Sequence, residues 1–290
     1  MRFYIVDAFS KELFGGNPAG VVLLGAADFP KEEVMQKTAA ELRYSETAFV
    51  RQIGENAFHT RYFTPEAEVD LCGHATIALF HALCEEGIIP SNGECTNQTL
   101  AGNLRVKLKD GMIFMQMGEP ETFGRIEDEQ ALRDLYHIMG IADATPDTDS
   151  PLLPEMISTG LPDIMLPVKD EEVLSSISPD FAKLSQLSEK YDVVGVHAFT
   201  TESKDGQIHV RNFAPRYAID EEAATGTSNG ALTYYLYKNN LLKKGDQTVF
   251  IQGEAMGRPS EIVSLLDDED RVEIVIGGRA VTLVKGEIYY

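Results

Sequence analysis

FHTRYFTPEAEVDLCGHATIALFHALCEEGII, residues 58–89, recurs in outline as IHVRNFAPRYAIDEEAATGTSNGALTYYLYKNNLL, residues 208–242. His59, Arg61, Phe63, Pro65 and Asp70 align with His209, Arg211, Phe213, Pro215 and Asp220 without a gap. A three-residue shift then sets Cys72-Gly73-His74 on Thr225-Gly226-Thr227, and Leu79 and Leu83 on Leu232 and Leu236. Solenoid repeats have periods of about 20–50 residues, far shorter than this one. The pattern instead predicts two similar domains, with their matched segments facing a shared cleft.

Working outward, the strings FYIVDAF and GVVLL read as strands separated by the loop Gly15-Gly16-Asn17-Pro18. KEEVMQKTAAELR, residues 31–43, has the spacing of a surface helix. The segment from His74 to about Glu86 is apolar on most sides, as is 228–240, so each predicts a buried helix. LRVKLKD and MIFMQMG flank Asp110-Gly111, a hairpin signal. Further helices are expected near 127–140 and 180–190. Strands are expected near 155–169, 193–200, 207–213, 248–252, 260–266, 271–276 and 279–285. The fold class is α+β: two pseudo-symmetric domains, each a curled, mostly antiparallel sheet around a central helix. The expected domains are 1–118 and 119–278, with the last strand, 279–290, free to return to the first.

The chain has 290 residues and a formal net charge of −21, which opposes binding to nucleic acid or to an anionic membrane. It shows no apolar run of membrane-spanning length and no signal peptide, so a cytoplasmic protein is expected. Three cysteines without a CxxC spacing fit a reducing compartment. The six histidines show no metal-ligand spacing, so no metal is expected.

Gly73 and Gly226 each stand at the start of a buried helix. The first N–H groups of a helix lack intrahelical partners, and the dipole adds partial positive charge there. A glycine at that point lets a carboxylate approach the backbone. The other reading is that Gly73, Thr227 and Ser228 merely cap helices. Cys72 and Thr225 precede the glycines. A thiol there can serve as acid or base, or be a small buried apolar side chain. Thr225 is too weak a base, which counts against two-thiol racemisation. Glu46 lies in RYSETAFV; beside Ala48, Phe49 and Val50 it is partly desolvated, a setting suited to proton transfer. An exposed or capping glutamate is the alternative. His74 could donate to a substrate oxygen or lie at the surface. Glu221 and Glu222 are surface charges, or one is a second acid/base group. Arg61 and Arg211 are expected in internal salt bridges, and His59 and His209 in structural roles.

Together, F-G-G-N-P-A-G-V-V-L, S-E-T-A-F-V, Y-F-T-P-x-x-E-x-D-L-C-G-H-A-T and A-T-G-T-S-N-G-A-L resemble the PhzF family of phenazine biosynthesis-like proteins, within the diaminopimelate epimerase-like fold. The resemblance spans the chain. It implies two pseudo-symmetric domains with the site between them, no metal, no organic cofactor, a homodimer and isomerase chemistry on a small anionic carboxylate metabolite in a biosynthetic process. It implies that Glu46 moves a proton between substrate carbons and that His74 is the active-site histidine, with Glu222 assisting. Gly73, Gly226 and Thr227 would hold the substrate carboxylate, with Asn17, Cys72 and Thr225 lining the site. The chain departs from the family's E-D-P-A-T-G-S, having E-E-A-A-T-G-T at 221–227. The longer Glu222 carboxylate needs a backbone adjustment, which the loss of proline permits. The alternatives are a Cys72/Thr225 epimerase, racemase or dehydratase, and a non-catalytic small-molecule binder.

Overall fold

A computed structural model describes residues 1–267 and 272–289. Residues 271 and 290, expected at the ends of strands, lie outside the described residues, as does the side chain of Asp267. The chain divides into two compact units. Unit one is Met1–Gln116 with the chain from Gly277 onward, and unit two is Met117–Ile276.

Unit one carries β1 (Arg2–Ala8), β2 (Asn17–Leu23), α1 (Glu32–Leu42), β3 (Thr47–Gly54), β4 (Ala57–Phe63) and β5 (Glu68–Val69). It continues with α2 (Gly73–Glu85), β6 (Gly93–Thr99), β7 (Gly102–Lys109) and β8 (Met112–Gln116). Unit two begins with β9 (Glu121–Arg125), α3 (Glu129–Ile138), β10 (Glu155–Ser158), β11 (Pro162–Pro167), α4 (Glu171–Ser176), α5 (Phe181–Tyr191) and β12 (Val196–Thr200). There follow β13 (Ile208–Ala214), β14 (Ile219–Glu222), α6 (Gly226–Lys238), β15 (Gln247–Gln252), β16 (Ser260–Asp267) and β17 (Glu273–Gly278), whose last two residues belong to unit one. β18 (Ala280–Glu287) pairs antiparallel with β1.

Both units repeat one strand order. β1–β2 antiparallel, β2–β3 parallel, β3–β4 antiparallel and β4–β6 parallel are matched by β10–β11, β11–β12, β12–β13 and β13–β15. Helix α2 touches β1, β2, β3, β8 and β18, so the sheet of unit one bends around it. That enclosure explains why α2 is apolar nearly all round, burying Ile77, Ala78, Leu79, Phe80 and Leu83. On the opposite face α1 packs Met35 and Ala39 against Phe3, Val22, Phe49 and Phe63. In unit two, α6 packs on β10, β11 and β16. Leu132, Leu135 and Leu184 from α3 and α5 join Val196 and Phe213 in a separate core. With helices on both faces, β3 and β12 bury consecutive residues and read as continuous apolar runs.

The strand register corrects the sequence alignment. Tyr62 pairs with Val69, and its repeat counterpart Asn212 pairs with Glu222. The three-residue shift therefore falls before β5, not after Asp70. Val69 matches Glu222, Glu68 matches Glu221, and Asp70 does not correspond to Asp220. The extra residues form the 3-10 turn Pro215–Tyr217. The arginines follow the corrected register. Arg61 Nε donates to Glu68 Oε1 at 2.6 Å, and Arg211 Nε donates to Glu221 Oε1 at 2.8 Å. Glu221 is therefore a structural partner.

Several elements escaped the periodicity reading. β6 points Cys95, Asn97 and Thr99 inward, so its buried face is mostly polar. β9 is largely exposed and contains Gly124. α4 is six residues long, too short for a helical period, and is started by the Asp170 side chain accepting from Val173 N. Helix α6 begins at Gly226, two residues earlier than expected, because Thr225 is the last extended residue. Among the described residues no helix is long and apolar enough to cross a membrane.

Gly16 sets the entry to β2. Its φ is +64°, and a Cβ there would lie 2.2 Å from the carbonyl oxygen of Ala8. Gly16→Ala is expected to lower unfolding stability by about 2 kcal/mol or more, through left-handed strain plus the clash. Urea unfolding checks this; an unchanged midpoint would show that the loop relaxes freely.

Candidate active site

In unit one the parallel pair β2 and β3 brings two N-terminal strand ends together, one carrying Asn17 and the other preceded by Glu46. The start of α2 meets them. Cys72, its N-cap, has φ −139° and ψ 122°, and no side chain caps the helix. The Cys72 side chain therefore does not satisfy the N–H groups of the first turn, which have no partner within the helix. His74, in that turn, is 6% exposed. Asn17 Nδ2 donates to its Nδ1 at 3.3 Å, and Cys72 Sγ stands 3.4 Å from the same nitrogen. On the other side, Nε2 lies 3.3 Å from Ser45 Oγ and 3.2 Å from Glu46 Oε2.

Burial pushes the His74 imidazolium pKa down, and the nearby Glu46 charge opposes that only in part. The ring is therefore neutral at neutral pH. With Nδ1 accepting from Asn17, the ring proton resides on Nε2, the side facing Glu46. Glu46 Oε2 is buried and has no hydrogen-bond partner among the described residues; His74 Nε2 is near but off the hydrogen-bond line. A buried carboxylate oxygen left open beside a neutral imidazole can accept a proton from a third group. Glu46, Cys72 and His74 each offer a ligand atom within 4.8 Å of the others, so this set could also hold a metal ion. Linear spacing hides it because the residues come from separate segments.

In unit two the corresponding helix start is braced by a polar network. Thr225, the N-cap of α6, is extended and again no side chain caps the helix. Gln252 takes up the loop. Thr225 N donates to its Oε1 at 3.1 Å, and its Nε2 donates to Thr225 Oγ1 at 3.0 Å and to the carbonyl of Glu222 at 2.8 Å. Asn229 Nδ2 donates to Gln252 Oε1 at 2.9 Å. Behind it, His197 Nε2 donates to Asn229 Oδ1 at 3.3 Å, and Asn212 Nδ2 donates to His197 Nδ1 at 3.2 Å. Ser228 Oγ donates to Asp163 Oδ2. Thr159 Oγ1 donates to the carbonyl of Thr227 at 2.9 Å.

Thr225 is thus held by hydrogen bonds to Gln252, with no basic side chain bonded to its hydroxyl among the described residues. Glu222 is half-buried on β14. The strand register sets Thr47 on Val196, because they pair with the matched Phe63 and Phe213, so the counterpart of Glu46 in unit two is Gly195. The carboxylate, imidazole and thiol therefore belong to unit one. Ser45 escaped the sequence reading, although it adjoins Glu46. Gln252, His197, Asn212 and Asp163, on strands, and Asn229, on α6, escaped it as well, because isolated polar residues carry no linear signal.

Burial pushes His197 down to about 3, so it is neutral throughout the working range. It pushes Asp163 up to about 6, against the opposing hydrogen bond from Ser228. A carboxyl raised above its unfolded value favours the folded state below the unfolded pKa. That advantage is lost as pH rises through the folded value. Wild type should therefore lose on the order of 1 kcal/mol relative to Asp163→Asn between about pH 5 and 8. Denaturant unfolding of both proteins across that range measures it; parallel curves would show that Asp163 does not titrate there.

Comparison with known proteins agrees with this architecture. The family model described as PhzC-PhzF, phenazine biosynthesis-like protein, matches residues 6–286. An uncharacterized isomerase of Clostridium acetobutylicum is 36% identical, over 99% of this chain and 97% of its own. The crystal structure of a PhzF-family phenazine biosynthesis protein of Bacillus anthracis superposes with a TM-score of 0.86 at 27% identity, covering 100% of this chain and 99% of that one. A probable proline racemase of Agrobacterium radiobacter shares the fold, with a TM-score of 0.65 at 14% identity, covering 99% and 92% of the two chains. The relatives named as isomerases support a small-molecule isomerase. The chain belongs to the PhzC-PhzF family of phenazine biosynthesis-like proteins.

Proposed function

We propose that the protein is an isomerase that moves a proton between carbons of a small carboxylate-bearing metabolite, with Glu46 as the proton carrier. The observation that carries this reading is the buried, unpartnered Glu46 Oε2, 3.2 Å from Nε2 of a neutral His74. The start of α2, at Gly73, where the Cys72 side chain makes no cap, receives a substrate carboxylate on the N–H groups of its first turn. Glu46 takes a proton from the carbon activated by that substrate's own acidifying group. His74, held by Asn17, donates from Nε2 toward the charge that develops. Glu46 then returns the proton to a second carbon on the same face. No electrons leave the substrate and no atom is gained or lost.

Gly226 and Thr227 offer a helix start of the same kind in unit two. Their role in substrate binding, like those of Glu222 and Thr225 and the homodimeric state, is proposed from the family resemblance. The reaction as written uses side chains of this chain alone.

The test follows solvent deuterium into C–H bonds by proton NMR, with a panel of small carboxylic acids incubated in heavy water. Turnover is expected for some member of the panel. Glu46→Gln should slow it by about 100-fold or more, the scale of a lost general base. Undiminished exchange in Glu46→Gln would overturn the assignment.

The 3.4 Å approach of Cys72 Sγ to His74 Nδ1 favours a second reading, in which the thiol is the acid or base. Under the Glu46 reading, Cys72→Ala keeps exchange within about tenfold of wild type. Loss comparable to that of Glu46→Gln, together with substrate protection of Cys72 from iodoacetamide, would transfer the role to the thiol.

A further inference from the structure

In unit two, away from the network at α6, His209 stands on β13 and is 6% exposed. Three carboxylates converge on its ring. Nδ1 donates to Glu254 Oε2 at 2.6 Å. Nε2 faces Asp205 Oδ1 at 3.2 Å and Glu171 Oε1 at 3.5 Å. The two carboxylates on the Nε2 side are independently oriented. Asp205 Oδ1 accepts from Gln207 N at 2.9 Å and from Ser203 Oγ at 3.0 Å. Glu171 Oε2 accepts from Lys204 N at 3.3 Å, which turns Oε1 to the histidine. The group opens on a cavity of about 850 Å³.

The repeat supplies a control. His59 occupies the same strand position in unit one, packs edge-on against Phe29 with ring centroids 4.9 Å apart, and has Arg51, Arg61 and Glu68 as its charged neighbours. An imidazole at this point of the fold therefore does not require three acids. Even a protonated His209 balances only one of the three negative charges. Arg211 does not supply the rest, because its guanidinium is committed to Glu221 and to the carbonyl of Ile177. Asp170, Glu172 and Glu202 also line the cavity, together with Lys204, and Lys169 Nζ stands 3.9 Å from Asp170 Oδ2. The three carboxylates that touch the ring thus carry more negative charge than the imidazole balances.

The distances also fit a specific occupant. With bonds of about 2.0–2.2 Å, ligand atoms of a tetrahedral zinc site stand about 3.3–3.6 Å apart. The Nε2–oxygen separations of 3.2 and 3.5 Å are close to that edge length. A histidine that ligates through one nitrogen commonly gives its other N–H to a carboxylate, which fixes the tautomer and raises ligand basicity. Glu254 holds that position. The geometry points to a zinc-type divalent metal site with His209 Nε2, Asp205 and Glu171 as ligands, Glu254 as the carboxylate behind the histidine, and the remaining coordination position open to the cavity. Such an ion would tie α4, the turn between β12 and β13, and β13 together, so its binding stabilises unit two. No step of the proposed isomerisation uses it.

The experiment titrates zinc chloride into chelator-stripped, full-length protein by calorimetry and follows the thermal unfolding midpoint. Wild type should bind one equivalent saturably at this site, with a raised midpoint. His209→Ala and the double variant Glu171→Gln/Asp205→Asn should each weaken that binding at least tenfold and abolish the rise. Glu254→Gln should weaken it by about 10–100-fold, as for other residues behind a metal ligand. Cys72→Ala removes the other potential ligand set and should leave this binding intact. Should His209→Ala fail to fold, the double variant at partly exposed positions decides. The proposal is overturned by the absence of saturable zinc binding in wild type. It is equally overturned by zinc binding that survives the double variant but disappears in Cys72→Ala.

Discussion

Enclosing a helix that is apolar on nearly every side is the constraint on which the rest of this structure depends. Such a helix cannot lie on a sheet with one face in water. In unit one the strands therefore bend around α2, from β18 and β1 at one side to β8 at the other. Burying the helix body leaves its N-terminus as a place where unpaired N–H groups and dipole charge can meet a ligand. The parallel pairing of β2 and β3 brings Asn17 and Glu46 to that end. The site is thus a by-product of the packing, furnished by residues at strand ends.

The two units solve the same packing problem with different chemistry at equivalent points. Where unit one has Glu46, unit two has Gly195. Where unit one sets Cys72 beside His74, unit two has Thr225 anchored by Gln252 and backed by Asn229 and His197. A buried polar network of this kind is stabilising only when its members are satisfied, and it makes the helix start of unit two rigid. In unit one Glu46 has a buried carboxylate oxygen with no hydrogen-bond partner among the described residues, a costly arrangement for folding. The histidines of the β4 and β13 strands diverge in the same way, one among arginines and one among acids.

Much of the fold was legible because hydrophobic burial writes directly into the chain. Ile77, Leu79, Phe80 and Leu83 mark α2, and the apolar face of α1 marks the outer layer. The misreadings share a physical origin. β6 buries Asn97 and Thr99, so its inward face looks polar. The alignment of Asp70 with Asp220 followed residue identity, whereas backbone pairing moved the shift upstream and revealed Glu68 and Glu221 as the equivalent partners of Arg61 and Arg211.

By itself the sequence determined the duplication, the two enclosed helices, their glycine starts and the family motifs that single out Glu46 and His74. These follow from local composition and period, which are properties of neighbouring residues. Only the tertiary structure decided which nitrogen of His74 carries its proton, that Ser45 and Cys72 flank that ring, and that Glu46 keeps one oxygen unpaired. It alone set Glu171, Asp205 and Glu254 around His209. Those facts depend on contacts between segments far apart in the chain, and on burial that alters the charge state of each group, neither of which is written in the order of residues.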